Sequence, residues 1–448
     1  MKSLLLVVAM AAQMDAATMK AGFARVNITP KSPIYLSGYA ARTKPSEGVL
    51  QPIWAKALAI QDTKGAKTVI VTTDLIGLSR MVTDMVAARV AKEFSIDRSR
   101  LVFNASHTHS GPMVGGNLQA LFDLKPEDEK VIDAYTKVLT ENLYQAVSAA
   151  LSDLAPAVLS VGHGSADFGF NRRMNKGSAT HIDNPKGPMD KDVPVIRVTT
   201  PDGKLRGVLF GYACHNTTLG GDLYQVNGDY AGFAQSEFES AHPGATAMFM
   251  ILCGADQNPN PRGKVEQAMQ YGKQLADAVS KVIDGKMDSI AGPVQAAYNV
   301  TQLTFKAHDR ELYEKDLKDK LRAKVRRAEL MLKLYDERRP IRSTPYPVQA
   351  LRFGKVLTMV TLGGEVVVDY DLRIKKEFPG EHIIVAGYSN DVMCYIPSVR
   401  VLKEGGYEAV DSMIYYGQPG PFDENVEETV MNGVYGVMKR VGRKPAKQ

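Results

Sequence analysis

Cysteine is scarce in this sequence, and the little there is cannot build a framework. Cys214, Cys253 and Cys394 are the only three in 448 residues. An odd number cannot pair completely and none stands in Cys-x-x-Cys spacing, so a disulfide scaffold is excluded and a cysteine-built metal centre is disfavoured. Long apolar runs are missing too: no segment approaches the roughly 20 consecutive apolar residues a membrane-crossing helix needs. Internal repeats and long Gly/Ser linkers are absent, which favours one large domain over an array. The net charge of +6 is spread along the chain apart from a short tail, KRVGRKPAKQ at 439–448, so no nucleic-acid footprint is present.

What is present is the balance of a globular protein, 44% hydrophobic and 23% charged, with enough apolar residue to bury a substantial core. The amino terminus has one lysine, an apolar run from Leu4 to Ala12 and small residues at Ala16 and Ala17. Residues 1–17 are therefore expected to be a signal peptide and the mature protein, residues 18–448, to be secreted or periplasmic; an untargeted leader or a first β-strand is the alternative.

Six apolar, β-branched runs, at 68–74, 100–109, 207–216, 246–258, 356–365 and 382–391, each pass into polar or glycine-rich residues within a few positions. Amphipathic helical patterns lie between several of them, at 81–94, 133–151 and 267–283. This order predicts an α/β fold, a single catalytic domain with a β-sheet covered by helices. The charged segment 307–340, with leucines at helical spacing, reads as one or two exposed helices.

Histidine is as sparse as it is concentrated. There are eight, and two of them stand one residue apart in NASHTHSGP, residues 104–112, directly after an apolar run. In an extended segment His107 and His109 would address one point, as metal ligands must; taken alone, the pair suits two loop histidines equally well. His215 in YACHNTT supplies a third imidazole after another strand, and Glu365 in LGGEVVV supplies a carboxylate behind two glycines. His107, His109, His215, Asp256, Glu365 and Asn390 all fall at or just past strand carboxyl ends, where open α/β sheets bind ligands. Of the other five histidines, His163 is the reserve candidate, and His181, His242, His308 and His382 read as structural or exposed. A binuclear site would ask for His-x-His followed by Asp-His, and Ser110 and Gly111 follow the pair instead, so that arrangement fails.

The segments AGFARVNITP at 21–30, NASHTHSGP, NRRM at 171–174, CHNTT, GADQNPN and YSNDVMCYIPS occur in the order seen in the neutral ceramidase family. From Ala21 to about Val437 the chain resembles that family's amino-terminal, catalytic domain. The resemblance implies a mononuclear zinc site held by His107, His215, Glu365 and Tyr395, with His109, Arg172 beside Asn171, and Tyr407 facing the substrate. It implies a hydrolase of an amide (N-acyl) bond in a small-molecule or lipid substrate. Where the family carries a serine, this chain has Asn258, whose neutral amide cannot form an acyl-enzyme in the usual way. A water activated by zinc is the expected nucleophile instead, with Asp256 as candidate base; a turn-forming role for Asp256 is the alternative. The family's carboxyl-terminal β-sandwich has no room in this chain, so recognition of ceramide through it is not expected. Two rivals stand beside the amidase reading: a zinc hydrolase or lyase of a polar, acylated or sugar-derived substrate, and a secreted binding protein that keeps the metal site without turnover.

Overall fold

The computed structural model describes residues 19–173 and 184–446; the expected signal peptide, Met174 and His181 lie outside them. Three sheets carry the α/β fold. The first has five strands in the order Leu101–Ala105, Lys67–Thr73, Trp54–Gln61, Lys20–Asn27 and Ala155–Pro156. The second, also of five, runs Thr246–Ile251, Leu205–Tyr212, Asp192–Thr199, Val158–Ser165 and Asp288–Ile290. The third has four: Val294–Thr304, Ser343–Phe353, Leu357–Leu362 and His382–Ala386.

Strand alternation explains why several sheets form rather than the one expected. In Leu205–Tyr212 the side chain of Leu209 joins one apolar layer, while Val208 and Phe210 join another on the opposite face. Thr246–Ile251 divides the same way, Met248 and Met250 against Phe249 and Ile251. Ile70 and Val102 of the first sheet, Leu209 and Met250 of the second, and Met359 and Ile384 of the third fill one shared inner layer. The sheets are thus buried on both faces and stack on each other as well as on helices.

The outer faces carry the helices. Arg80–Phe94 and Pro126–Ser152 lay Val82, Val86, Leu139 and Leu143 on the first sheet. Asp229–Ala241 and Val265–Asp284 cover the second with Phe238, Leu275 and Val279, and Val426–Arg440 covers the third with Val430 and Val434. No described helix is long and apolar enough to cross a membrane.

Each sheet is mostly antiparallel but contains one parallel pair: Lys67–Thr73 with Leu101–Ala105, Leu205–Tyr212 with Thr246–Ile251, and Leu357–Leu362 with His382–Ala386. Parallel neighbours discharge their chains in the same direction. Five of these six strands lead, within a few residues, into the segments that hold His107, His215, Asp256, Glu365 and Asn390.

Candidate metal centre and active site

Short pairings beyond the strand ends draw these segments together. Thr108 bridges to Asn216 in parallel, which sets the first histidine pair beside His215. Glu365–Val366 pairs in parallel with Tyr395–Ile396, and Glu365 and Tyr395 are register partners. Gln257–Pro259 pairs with Gly169–Asn171, which delivers Arg172 next to Asn258. Gly364 makes the second pairing possible: its φ is +71°, and a Cβ there would stand 2.7 Å from the carbonyl oxygen of Cys394.

His107 and His109 converge by a different route from the extended pleat expected. His107 is left-handed, with φ +63°, an uncommon conformation for a residue with a side chain. Its backbone N–H donates to Leu75 O at 2.8 Å, and its ring packs 4.5 Å from that of Tyr388. These contacts hold the turn, and the Nε2 atoms of His107 and His109 come 3.1 Å apart. Arg42 fixes the next turn; its buried guanidinium donates to the carbonyls of His109 at 2.6 Å, Ser37 at 2.9 Å and Leu223 at 3.0 Å.

The protonation pattern of the cluster follows from its hydrogen bonds. His107 Nδ1 lies 2.6 Å from Ile76 O and His215 Nδ1 lies 2.8 Å from Gly254 O. A carbonyl only accepts, so both Nδ1 atoms carry a proton, and in a neutral ring that leaves Nε2 as the acceptor. Burial, followed by the nearby charge of Arg172, lowers the His215 pKa to about 4, so its ring is neutral at pH 7. The two Nε2 atoms nevertheless stand 3.0 and 3.1 Å from Glu365 Oε2, which is buried and accepts no hydrogen bond. The other Glu365 oxygen accepts from the Tyr416 hydroxyl.

When both rings are neutral, three acceptor atoms face one another, which is costly to bury. A cation among them removes that cost, and the donor set, imidazole nitrogen with a carboxylate, is one that zinc takes. Ligand atoms of His107, His109 and His215 all lie within 4.8 Å of one another. Tyr395 completes the cluster with its hydroxyl 3.1 Å from His215 Nε2. Burial, then the charge of Glu365, pushes that hydroxyl well above its ordinary pKa, while Arg172, donating to it at 3.1 Å, works in the opposite direction. The residues therefore fit a metal ion.

Two adjoining chambers open onto the cluster. The larger, of about 770 Å³, is lined by Arg172, Thr217 and Arg262 and by the segment that follows the helix Arg310–Asp316. The smaller, of about 160 Å³, takes in Glu365 and the apolar side chains of Ile76, Leu118 and Leu121. His109, Tyr39, Tyr395, Tyr407 and Tyr415 line both. His109 packs at a tilt against Tyr39, ring centroids 4.9 Å apart, over Gly38, where a Cβ would stand 2.4 Å from His109 Nδ1.

Not every expected residue reaches the chambers. Arg172 does, held by Glu408 at 2.7 Å and Asn258 Oδ1 at 3.0 Å, with its guanidinium 5.8 Å from the Tyr407 ring. Asn258 stands behind Arg172 and is itself buried, sharing its carbonyl oxygen with the Thr217 hydroxyl at 3.3 Å. Asp256, the expected base, faces away. Its carboxylate accepts from Val368 N at 2.9 Å and Asn171 Nδ2 at 3.0 Å, and burial, reinforced by Asp369, raises its pKa to about 6. It holds the segments that carry Arg172 and Glu365 in register.

Sequence reasoning did not single out Tyr416, Arg42, Glu408 or Thr217. Tyr416 follows another tyrosine in a short helix, and Arg42 sits in a polar loop; neither position carries a spacing signal. The segment 307–340, expected as exposed helices, forms Arg310–Asp316 and Arg322–Asp336, and it also walls the larger chamber through Asp319, Leu321, Lys324 and Arg327. Arg326 fastens it to the carbonyls of Ala120 and Leu121, each at 2.8 Å. The three cysteines are buried and free.

A mixed α/β protein with a buried, metal-competent histidine cluster at strand ends is the class these features define. The chain belongs to the family described as neutral/alkaline non-lysosomal ceramidase, N-terminal, whose sequence model matches residues 19–252. It is 25% identical over 270 residues to a neutral ceramidase of Pseudomonas aeruginosa, a match covering 57% of this chain and 39% of that one. It is also 25% identical over 309 residues to a neutral ceramidase of Drosophila melanogaster, covering 64% and 42%. The matches thus span about two fifths of these relatives' length. The fold is shared with the crystal structure of the Pseudomonas aeruginosa neutral ceramidase, with a TM-score of 0.72 at 17% identity, over 95% of this chain and 75% of that one. A structure described as ceramidase complexed with C2 gives 0.74 at 16% identity and the same coverage.

Proposed function

We propose that the protein is a zinc-dependent hydrolase that cleaves an amide bond between an acyl group and an amine. The observation that carries this reading is the convergence of His107 Nε2 and His215 Nε2 on one oxygen of Glu365 beside the two chambers, with His109, Arg172 and Tyr407 lining the space next to it. His107, His215, Glu365 and Tyr395 would hold the ion. A bound zinc ion supplies Lewis acidity toward the acyl carbonyl and lowers the pKa of water toward about 7.

The chain's own residues do the rest. The imidazole of His109 stands at the junction, where the scissile carbonyl would lie, and its ring is oriented by Tyr39 and by the Arg42 bond to its carbonyl. Arg172 and Tyr407 offer further donors to the oxygen on which charge develops, an effect that can be worth about 3 kcal/mol for one well-placed donor. The Arg172 guanidinium is already fixed by Glu408, Asn258 and Tyr395, so little reorganisation accompanies the reaction. Among the described residues no serine or cysteine lines either chamber, which supports direct attack by water over an acyl-enzyme. A signal peptide at residues 1–17 and export of the mature chain belong to the same proposal.

The test is metal analysis of the purified protein followed by turnover of N-acyl amines with and without chelator. The expected outcome is about one zinc per chain, activity lost on chelation and restored by zinc. A metal-free preparation that stays fully active sinks the reading.

A further inference from the structure

We infer that the amide cleaved here joins a short acyl group, of no more than about six carbons, to a polar, charge-bearing amine rather than to a long-chain lipid base. This inference rests on the hydrolase reading and specifies its substrate. It comes from the difference between the two chambers.

The smaller chamber carries one carboxylate, Glu365 at the cluster, where the larger is lined by six charged side chains. Ile76, Leu118 and Leu121 form its floor, each 5% exposed or less, and Ala40 and Ala41, both exposed, form its rim. A cavity of about 150 Å³ lined by aliphatic side chains holds one benzene; at about 160 Å³ this chamber takes a similar load, about six carbon atoms. Carbons beyond that pass Ala40 and Ala41 into water and gain no further burial.

The larger chamber sets its aliphatic side chains, Leu321, Val410 and Ile414, among charges that a second alkyl chain would have to cover. Arg172, Arg262, Lys324, Arg327, Asp319 and Asp411 all face it. Four of the six are paired: Arg172 with Glu408, Arg327 with Asp316, and Lys324 with Asp319. Arg262 and Asp411 are exposed and have no ion-pair partner among the described residues. An alkyl chain laid along these charges would strip their water and return nothing. An amine carrying hydroxyl or charged groups replaces the lost water bonds, with the tyrosine rings of Tyr39, Tyr407 and Tyr415 as apolar walls.

The experiment uses the zinc-loaded protein and three substrate series: N-acyl amino sugars and N-acyl amino acids with acyl chains of two to sixteen carbons, and N-acyl sphingosines in mixed micelles. In the two polar series kcat/KM is expected to rise by about fourfold per methylene up to about six carbons and then level off. Both are expected to exceed the sphingosine series at matched chain length by at least about tenfold. Leu121→Ala is expected to move the plateau outward by two or three carbons. Arg262→Ala, an exposed position that leaves folding intact, is expected to raise KM for the N-acyl amino acids by up to about fivefold and to leave zinc content unchanged. A kcat/KM that climbs through sixteen carbons, or a preference for the sphingosines, overturns the inference while the hydrolase reading stands. Zinc-loaded protein that cleaves no amide in any series overturns the hydrolase reading, and this inference with it.

Discussion

Among the described residues histidine rings come close in two places, and these are built on opposite plans. His107 and His215 are buried, with ring centroids 4.7 Å apart at an edge-on angle of 85°. His163 and His382 lie in a surface groove, 30% and 27% exposed, stacked at 5.0 Å and 14°. In the buried pair each Nδ1 is spent on a carbonyl, and both Nε2 atoms meet at one carboxylate oxygen. In the surface pair each ring instead has its own carboxylate, Asp192 at 2.9 Å and Asp288 at 2.8 Å. Nearness of imidazoles and acids is thus not what makes a metal centre. A site needs acceptors that converge after their donors have been used elsewhere.

Substitutions can break that comparison or sharpen it. The largest effect is expected from His107→Ala combined with His215→Ala: zinc lost by elemental analysis and turnover down by at least about 1,000-fold, since Lewis-acid stabilisation is worth several kcal/mol. Circular dichroism should remain that of a folded protein. Next comes His109→Ala, which should keep its zinc and lose turnover by about 100-fold, the signature of a donor that acts on the transition state. Equal loss of zinc in this variant would make His109 a ligand and displace Tyr395.

Tyr416→Phe frees the second Glu365 oxygen to rotate and should weaken zinc binding by about tenfold in a competitive chelator titration. Asn258→Ala removes one of the anchors of Arg172; a fall in kcat of about tenfold is expected, with no acyl adduct on this segment by mass spectrometry. Trapping such an adduct would refute attack by water. The smallest effect belongs to the surface pair: His163→Gln with His382→Gln should leave zinc content and turnover within about twofold of the parent.

Much of this was legible in the sequence where chemistry and strand pattern coincided. His107, His215 and Glu365 each follow an apolar run, and an ionisable residue just past a strand end stands out against its surroundings. The tyrosines were legible only through the resemblance to ceramidases, because 19 tyrosines are present and a core tyrosine looks like any other. Tyr416 and Arg42 act across folds of the chain that no local period records. Among strands, Val294–Thr304 escaped because its burial follows no clean alternation along an edge of the third sheet. Trp54–Gln61 escaped because three alanines and a buried lysine blunt its β-branched signal. The charged hairpin at 307–340 was found as helix but not as chamber wall, since composition reports a solvated face and not what that face looks onto.

The parallel pairing of Glu365–Val366 with Tyr395–Ile396 has a bearing on when the centre can exist at all. As the chain leaves the ribosome, its first two hundred or so residues can complete the first sheet and present the histidine pair, but the carboxylate and the phenol belong to its last quarter. Until that late segment docks between the two earlier sheets, an emerging chain holds imidazoles without the anion that balances a divalent charge. Under the zinc reading proposed above, ion capture would come at the end of synthesis, and an arrested chain ending before Glu365 should not retain metal that the finished one keeps.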